Sequence, residues 1–134
     1  MRIAIAYYVD KNENFINLVK GIEKGIIDQD HQVTIINMHD FSGTLTMYKH
    51  IIFGCNCTSL FGGKIPEKFI YKIKNCGMLS GKYCSAFVDK KFGDSKTLTN
   101  LMKSLEKEGI IVCASQIITS HDHGYKFGKE LHVY

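Results

Sequence analysis

The fold of this chain follows from the stretch RIAIAYYVDKNENFINLVKGIEKGI, residues 2–26. Its first part, Arg2 to Tyr8, is a short apolar run rich in residues that favour β-strands. From Asn14 onward the pattern changes to helical spacing. The apolar residues that follow this spacing are Phe15, Leu18, Val19, Ile22 and Ile26. The stretch therefore predicts a strand, a loop and a helix in that order.

The same alternation continues along the rest of the chain. Four more strands are predicted, over Val33 to Asn37, Tyr48 to Gly54, Lys82 to Val88 and Ile110 to Thr119. Two more helices are predicted, over Glu67 to Cys76 and Ser95 to Lys107. Met38 to Met47 is too short and polar for a full helix, so the connection between the second and third strands is expected to be irregular.

Strands that alternate with helices pair in parallel through right-handed crossovers. The near-continuous apolar run Ile51-Ile52-Phe53 indicates a strand that is buried on both faces. We therefore expect an α/β fold with a doubly wound, five-stranded parallel sheet of order 2-1-3-4-5 and helices on both faces. At 134 residues the chain is expected to form a single domain, residues 1–134.

Composition excludes several classes of protein. The net charge of +4 is mild and the lysines are scattered, which argues against a nucleic-acid-binding surface. No apolar run approaches the roughly 20 residues of a membrane span. The five cysteines are an odd number, which predicts free thiols in a reducing compartment. The opening residues lead into charged residues rather than a signal-peptide cleavage site, so a cytoplasmic location is expected.

Any ligand site is expected outside the carboxyl ends of strands one, three and four. The connections there are Tyr8 to Phe15, Gly54 to Pro66 and Asp89 to Asp94. The middle connection, GCNCTSLFGGKIP, is made of small, hydroxyl and glycine residues that let backbone amides approach a flat ligand. Packing alone does not require such a composition.

At this connection the chain resembles the flavodoxin-like family, in particular its reductases and quinone oxidoreductases that depend on flavin mononucleotide (FMN). In that family the loop after the third strand runs Gly-Ser/Thr-Pro-Thr-aromatic-X-Gly-X-X-Pro. Leu79-Ser80-Gly81-Lys82, Phe92-Gly93 and Leu101 to Gly109 are similar to the family in the same order. The resemblance implies a three-layer flavodoxin-like sandwich that binds FMN, with NAD(P)H as a possible electron donor.

The resemblance places cofactor contacts in all three connections. The residues that it implies are Asp10, Lys11, Asn12, Asn14, Phe15, Cys55, Asn56, Cys57, Thr58, Ser59, Phe61, Gly62, Asp89, Phe92 and Gly93. Phe61 and Phe92 are each interpreted either as rings that stack on the flavin or as loop packing. No residue of these three connections is singled out as a general acid or base.

The connection after strand one departs from the family. The family's phosphate loop, Ser-X-Thr-Gly-Asn-Thr, aligns with residues 10–15, and only Asn14 matches. A carboxylate about 4 Å from a unit negative charge costs roughly 4 kcal/mol at an effective dielectric constant of 20. A helix N-terminus at an exposed site returns only about 0.3 to 1 kcal/mol. Asp10 or Glu13 would therefore oppose a phosphate, unless the loop turns both acids to solvent and Lys11 and Asn12 offset them.

Simpler structural roles remain open for several of these residues. Asp10 is alternatively the cap of the first helix, and Phe15 is alternatively a core contact of its first turn. Cys55 and Cys57 are either a redox-active or metal-binding pair or small residues in a tight loop. Cys84 and Cys113 are expected to pack inside strands.

Two histidines follow strand five. His121 and His123 are either ligands of a metal or anion, acid and base, or part of a solvated loop. Beyond them the resemblance covers only Gly128, Lys129 and Leu131 of the family's last helix, which implies that this helix is short. A face of strand five is then less covered, and a homodimer is one way to bury it.

Two functions remain open at this point. The first is an FMN-dependent protein that moves electrons, with a small-molecule substrate or a redox protein as its partner. A reductase is favoured over a carrier, because carriers similar to flavodoxin are acidic whereas this chain has a pI near 8.8. The second is a non-catalytic domain that has lost FMN and binds another ligand or a protein partner.

Overall fold

The computed structural model describes residues 1–9, 11–57 and 63–133. This part of the chain forms five strands and four helices, which alternate except where two strands, the second and the third, follow one another. In chain order they are β1 (Arg2–Tyr8), α1 (Glu13–Ile27), β2 (Gln32–Asn37), β3 (His50–Cys55), α2 (Glu67–Lys74), β4 (Tyr83–Asp89), α3 (Asp94–Lys107), β5 (Ile111–Ile118) and α4 (His121–Glu130).

The sheet has the predicted topology. All four pairs of neighbouring strands are parallel, and the order is β2-β1-β3-β4-β5. Every residue of β3 is buried, as expected for a strand near the centre of a doubly wound sheet. The pairing of β4 with β5 shifts register between Cys84 and Ser85.

The two faces of the sheet carry separate cores, because successive side chains of a strand point to opposite faces. On one face Ile51 and Phe53 pack with Phe69 of α2 and Leu101 of α3. On the other face Ile52 packs with residues of α1 that include Phe15, Val19 and Ile22. The three-layer sandwich expected from the sequence is confirmed.

A turn before β3 makes this strand begin later than the sequence predicts. β3 begins at His50 rather than at Tyr48, because the Tyr48 amide donates to the Leu45 carbonyl in a turn. Leu45 is fully buried and fills the core beneath the irregular connection. The prediction that residues 38–47 do not form a helix is confirmed.

Helix α4 packs against α1 through glycines on both helices. A Cβ atom at Gly25 would lie 2.3 Å from the Tyr125 carbonyl oxygen, and one at Gly128 would lie 2.4 Å from the Ile22 carbonyl oxygen. These distances are shorter than any tolerated contact, so the two backbones touch directly. Sequence analysis did not identify this contact.

Since α4 is held against α1, it leaves part of β5 uncovered. A cavity of about 550 Å³ separates the two elements, with Ala114 and Gln116 on the strand and Phe127 and Leu131 on the helix side. The open face expected on strand five is therefore present. The homodimer that would cover it remains a prediction. Among the described helices, none is long and apolar enough to cross a membrane.

Candidate functional site

The candidate site lies where three neighbouring strands end. β1, β3 and β4 are adjacent and parallel, and their last residues are Tyr8, Cys55 and Asp89. The connections that follow them therefore leave from one edge of the sheet, as the sequence predicts.

The loop after β3 is attached to the end of β4 by Asp89. Asp89 Oδ1 accepts a 2.7 Å hydrogen bond from the Cys57 amide, and Asp89 is a buried residue that is 7 % exposed. Lys91 Nζ lies 3.6 Å from Asp89 Oδ2, and Cys57 Sγ donates to the Asp89 carbonyl at 3.5 Å. Two residues predicted to be at the site, Cys57 and Asp89, are thus in direct contact.

The far end of the same loop is attached to α3. Gly63 has a left-handed backbone with φ +60°, and its carbonyl accepts a 2.9 Å bond from Asn100 Nδ2. A Cβ atom at Gly63 would lie 2.6 Å from the backbone of Lys96 and Thr97, so only glycine fits here. Thr58, Ser59, Phe61 and Gly62, which the sequence places between these anchors, lie outside the described residues and stay predictions.

The loop after β4 presents an aromatic ring to solvent. Phe92 is 70 % exposed, and Gly93 follows it with φ +82° at the N-cap of α3. Exposed large apolar side chains often mark ligand-binding surfaces. Both residues were predicted to be at the site.

Asp94 fixes the shape of this loop, and sequence analysis did not identify it. Its carboxylate accepts bonds from the amides of Ser95 at 2.7 Å and Lys91 at 3.2 Å, and Lys90 Nζ lies 3.4 Å away. Burial acts to raise the pKa of Asp94, but the two amides and the Lys90 ammonium outweigh it and lower the pKa. The sequence signal that could have identified Asp94 is the polar pair Asp94-Ser95, which follows Gly93 directly at the start of a helical pattern.

Asn12, not Asp10, caps helix α1. Asn12 Oδ1 accepts a 3.1 Å hydrogen bond from the Phe15 amide, which is the usual role of an N-cap side chain. The capping role interpreted for Asp10 is therefore taken by Asn12, and Asp10 itself lies outside the described residues. Lys11 is exposed, as are Glu13 and Asn14 in the first turn.

Phe15 belongs to the core. Its side chain is 1 % exposed and lies against Phe87, with ring centroids 5.5 Å apart and planes 11° from parallel. The ring of Tyr7 is tilted against that of Phe15, with ring centroids 6.1 Å apart. The interpretation of Phe15 as a core contact is confirmed, and the cofactor contact that the resemblance implied for it stays a prediction.

The cysteines of the β3 connection are buried thiols. Burial raises the pKa of Cys55, and it raises the pKa of Cys57 to about 11. Thiols with raised pKa values are poor nucleophiles and poor metal ligands at neutral pH. Within the described residues no group of three or more His, Cys, Asp or Glu side chains could hold a metal ion. These observations favour packing over redox or metal chemistry. Asn56, between the two thiols, is half-buried.

Predictions about two other residue types were wrong. Cys84 is buried as expected, but Cys113 is exposed, because β5 is an edge strand that α4 does not cover. His121 and His123 do not form a loop, because Ser120 caps α4 by accepting from the His123 amide at 3.1 Å. His123 Nδ1 accepts from the Thr119 amide at 3.0 Å and so supports the same helix start.

A smaller cavity adjoins the site on the α1 side of the sheet. It measures about 340 Å³ and is lined by Asn14 and Asn17 of α1, Lys90 and Lys91 after β4, and His121. Lys90 and Lys91 also lie near Asp94 and Asp89, whose carboxylates offset part of the positive charge of the cavity.

No protein-family model matches the chain, and no curated protein matches its sequence. Solved structures do match it. Oxidised Flavodoxin 1 from Bacillus cereus is 18 % identical with a TM-score of 0.74, over 98 % of this chain and 100 % of that one. The chain has the flavodoxin-like fold.

Two further solved structures with this fold are a flavodoxin and a quinone oxidoreductase. A Fusobacterium nucleatum flavodoxin mutant bound to flavin mononucleotide is 15 % identical with a TM-score of 0.67, over 83 % of this chain and 66 % of that one. NAD(P)H:quinone oxidoreductase from Methanothermobacter marburgensis is 8 % identical with a TM-score of 0.68, over 100 % of this chain and 98 % of that one. At these identities the likeness establishes the fold.

The flavodoxin-like fold raises the question of whether the phosphate of FMN fits at the start of α1, where the sequence departs from the family's phosphate loop. No hydroxyl side chain occurs in residues 9–14, which are Val, Asp, Lys, Asn, Glu and Asn. The Phe15 amide, one of those that could hold a phosphate at the helix N-terminus, is already bonded to Asn12 Oδ1. Glu13 adds a negative charge to the first turn of α1.

Proposed function

We propose that this chain is a flavin-binding oxidoreductase that uses NAD(P)H as its electron donor. The observation that carries the proposal is the pair of loops after β3 and β4. Asp89 and Asn100 hold the β3 loop at both ends, while Phe92 exposes its ring on the neighbouring loop. A loop whose two ends are anchored beside an exposed aromatic ring suits a flat heteroaromatic ligand.

The comparisons support a flavin as that ligand. One structural neighbour is bound to flavin mononucleotide, and another is an NAD(P)H:quinone oxidoreductase. FMN is the cofactor that the sequence resemblance implies for this chain. Bound flavin would supply the redox chemistry, so a lack of acidic or basic catalytic side chains does not argue against an enzyme.

Charge favours a reductase over an electron carrier. The chain has a net charge of +4, and Lys64, Lys90, Lys91 and Lys96 lie on or beside the β3 and β4 loops with exposed side chains. Positive charge near a site raises the association rate of anionic ligands such as nicotinamide dinucleotides. The free, mostly buried cysteines suit a reducing compartment, and we place the protein in the cytoplasm.

A second candidate function is a flavodoxin-like domain that binds no flavin and takes another ligand or a protein partner. The observation that favours it is the α1 N-terminus, where Asn12 and Glu13 replace the chemistry of a phosphate loop. The two candidates differ in one measurable property, which is flavin binding.

Flavin binding is tested on the purified full-length chain. Bound flavin absorbs at about 450 nm, and its fluorescence is quenched, as expected for this class of cofactor. Riboflavin and FMN are titrated separately, and NAD(P)H oxidation is then followed with a quinone as acceptor. Phe92→Ala should weaken the binding of whichever flavin binds, whereas Tyr71→Ala, an exposed aromatic residue of α2, should not. If neither flavin is quenched, the oxidoreductase proposal is wrong and the second candidate stands.

A further inference from the structure

We infer that the face formed by α2 and α3 docks a protein partner that presents an acidic surface. The two helices lie on the same face of the sheet, because Phe69 of α2 and Leu101 of α3 share one core. The inference goes beyond the proposed function, since it depends on charge at this face and not on a bound flavin.

Lysines that are scattered in the sequence come together on this face. α2 and α3 carry six lysines against three acids, whereas α1 and α4, on the opposite face, carry four lysines against four acids. The excess of positive charge on these four helices therefore lies on the α2–α3 face. Such an asymmetry attracts an acidic surface and orients it as it approaches.

A groove between the two helices carries part of this charge. It measures about 510 Å³, and its lining includes Lys64, Lys103 and Lys107. Lys96 lies two helical turns before Lys103, on the same side of α3. From Lys96 to Lys107 this row extends about 16 Å along the helix, at 1.5 Å per residue. All four lysines are exposed, so a partner can reach them.

The acids near the groove offset little of this charge. Glu67 Oε1 lies 4.0 Å from Lys64 Nζ, but both side chains are exposed, and exposed ion pairs of this kind are weak. At about 100° per residue, Glu106 lies on the opposite side of α3 from Ser104, which lines the groove. Asp94 is buried, and its carboxylate already accepts from two backbone amides. Positive charge therefore predominates in the groove.

Apolar surface in and beside the groove favours a protein over a nucleic acid. Ile70 of α2 is half-buried and lines the groove, and the next residue, Tyr71, is 64 % exposed. Protein interfaces combine apolar and aromatic contacts with a polar rim. A nucleic acid would be held mainly through its phosphates, and the three lysines among the described lining residues provide few such contacts.

The inference is tested on the full-length chain with a hexaglutamate peptide as the probe. Fully extended, this peptide spans about 20 Å, which is enough to follow the row of lysines. NMR titration should shift the backbone amides of α2 and α3, and binding should weaken at high salt because the attraction is screened.

Two double variants locate the binding surface. Lys103→Gln combined with Lys107→Gln should weaken hexaglutamate binding about tenfold. The matched control, Lys20→Gln combined with Lys126→Gln, removes two exposed lysines from α1 and α4 and should weaken binding less than about twofold. Both double variants lose the same amount of charge, so a difference between them reports on position.

The remaining outcomes overturn the inference. If hexaglutamate does not bind, or shifts amides outside α2 and α3, this face is not the docking surface. If both double variants weaken binding equally, the attraction comes from the net charge of the chain. If a short DNA duplex binds the groove more tightly than hexaglutamate, its occupant is a nucleic acid. None of these results depends on a flavin, so the proposed function stands or fails separately.

Discussion

The backbone amide of Cys57 lies 2.7 Å from Asp89 Oδ1, and this bond joins the loop after β3 to the end of β4. Asp89 is buried, so its carboxylate has few alternative partners besides Lys91. A hydrogen bond to a charged, buried acceptor contributes about 1.5 to 3 kcal/mol. We therefore expect Asp89→Ala to lower the free energy of unfolding by about this amount in urea denaturation.

The conservative variant Asp89→Asn distinguishes the contribution of the accepted hydrogen bond from that of the negative charge. It keeps an oxygen that can accept from Cys57 but loses the attraction to Lys91, so its loss of stability should be smaller than that of Asp89→Ala. Glu106→Ala, at an exposed position on α3, serves as control and should change stability by no more than about 0.5 kcal/mol. Equal losses for the Asn and Ala variants would show that the accepted bond is not what stabilises the loop.

The glycine contact between α1 and α4 predicts an unusual response to alanine. Alanine normally favours a helix over glycine by about 1 kcal/mol. At Gly25 the added Cβ would lie 2.3 Å from the Tyr125 carbonyl oxygen, and this clash is with backbone. We expect Gly25→Ala to destabilise the protein by about 1 to 3 kcal/mol, as overpacking does elsewhere.

Thermal and urea unfolding measure this effect, and Lys20→Ala is the matched control. Lys20 is an exposed residue of the same helix, so its replacement should leave stability nearly unchanged. Gly128→Ala should behave like Gly25→Ala, because its Cβ would lie 2.4 Å from the Ile22 carbonyl oxygen. A gain in stability for either glycine variant would mean that the helices separate without loss.

Phe15 and Phe92 allow one substitution to be compared in two environments. Phe15→Ala empties a core position beside Phe87 and should cost about 3 to 5 kcal/mol of unfolding free energy. Phe92→Ala removes a ring that is 70 % exposed and should change stability by no more than about 0.5 kcal/mol. Similar losses for the two variants in urea would contradict the placement of Phe15 in the core.

Much of the fold could be predicted because burial on both faces of a parallel sheet leaves a strong pattern in the sequence. β1 was predicted at its observed bounds, Arg2–Tyr8, from a continuous apolar run. The predicted start of a strand was wrong where a local hydrogen bond decides it. At Tyr48 the backbone amide donates to the Leu45 carbonyl in a turn, so the strand begins later. The glycine contact between α1 and α4 was missed because it depends on how two distant segments meet, which no local pattern encodes.

The site was predicted in outline for the same reason. Cys57 and Asp89 were placed at one edge of the sheet because the carboxyl ends of parallel strands share an edge. Their direct contact depends on the path of the loop backbone, which the sequence does not specify. Asn12 was grouped with the ligand contacts rather than identified as the cap, because the predicted helix began at Asn14 and not at Glu13.

His50 gives the protein a pH-dependent stability. It is fully buried at the start of β3, where its Nε2 atom hydrogen-bonds to Ser85 Oγ at 2.7 Å. Its Nδ1 atom is buried with no hydrogen-bond partner among the described residues. Burial lowers the pKa of His50 to about 4 from its ordinary value of 6.5. The folded protein therefore holds this histidine neutral under conditions in which the unfolded chain would protonate it.

The sign of the effect follows from proton binding. Between pH 6.5 and about 4 the unfolded chain binds the extra proton, so stability is complete above this window and falls as the pH drops through it. The loss from His50 reaches about 3 kcal/mol, at about 1.4 kcal/mol for each pKa unit. Urea unfolding across this range should show a steep fall in the wild-type protein and a shallower one in His50→Gln. His132→Gln, at an exposed position, should retain the wild-type slope. Because His50→Gln alters the core, NMR titration of the wild-type protein provides an independent check, and a His50 resonance that titrates near pH 6.5 would contradict the assignment.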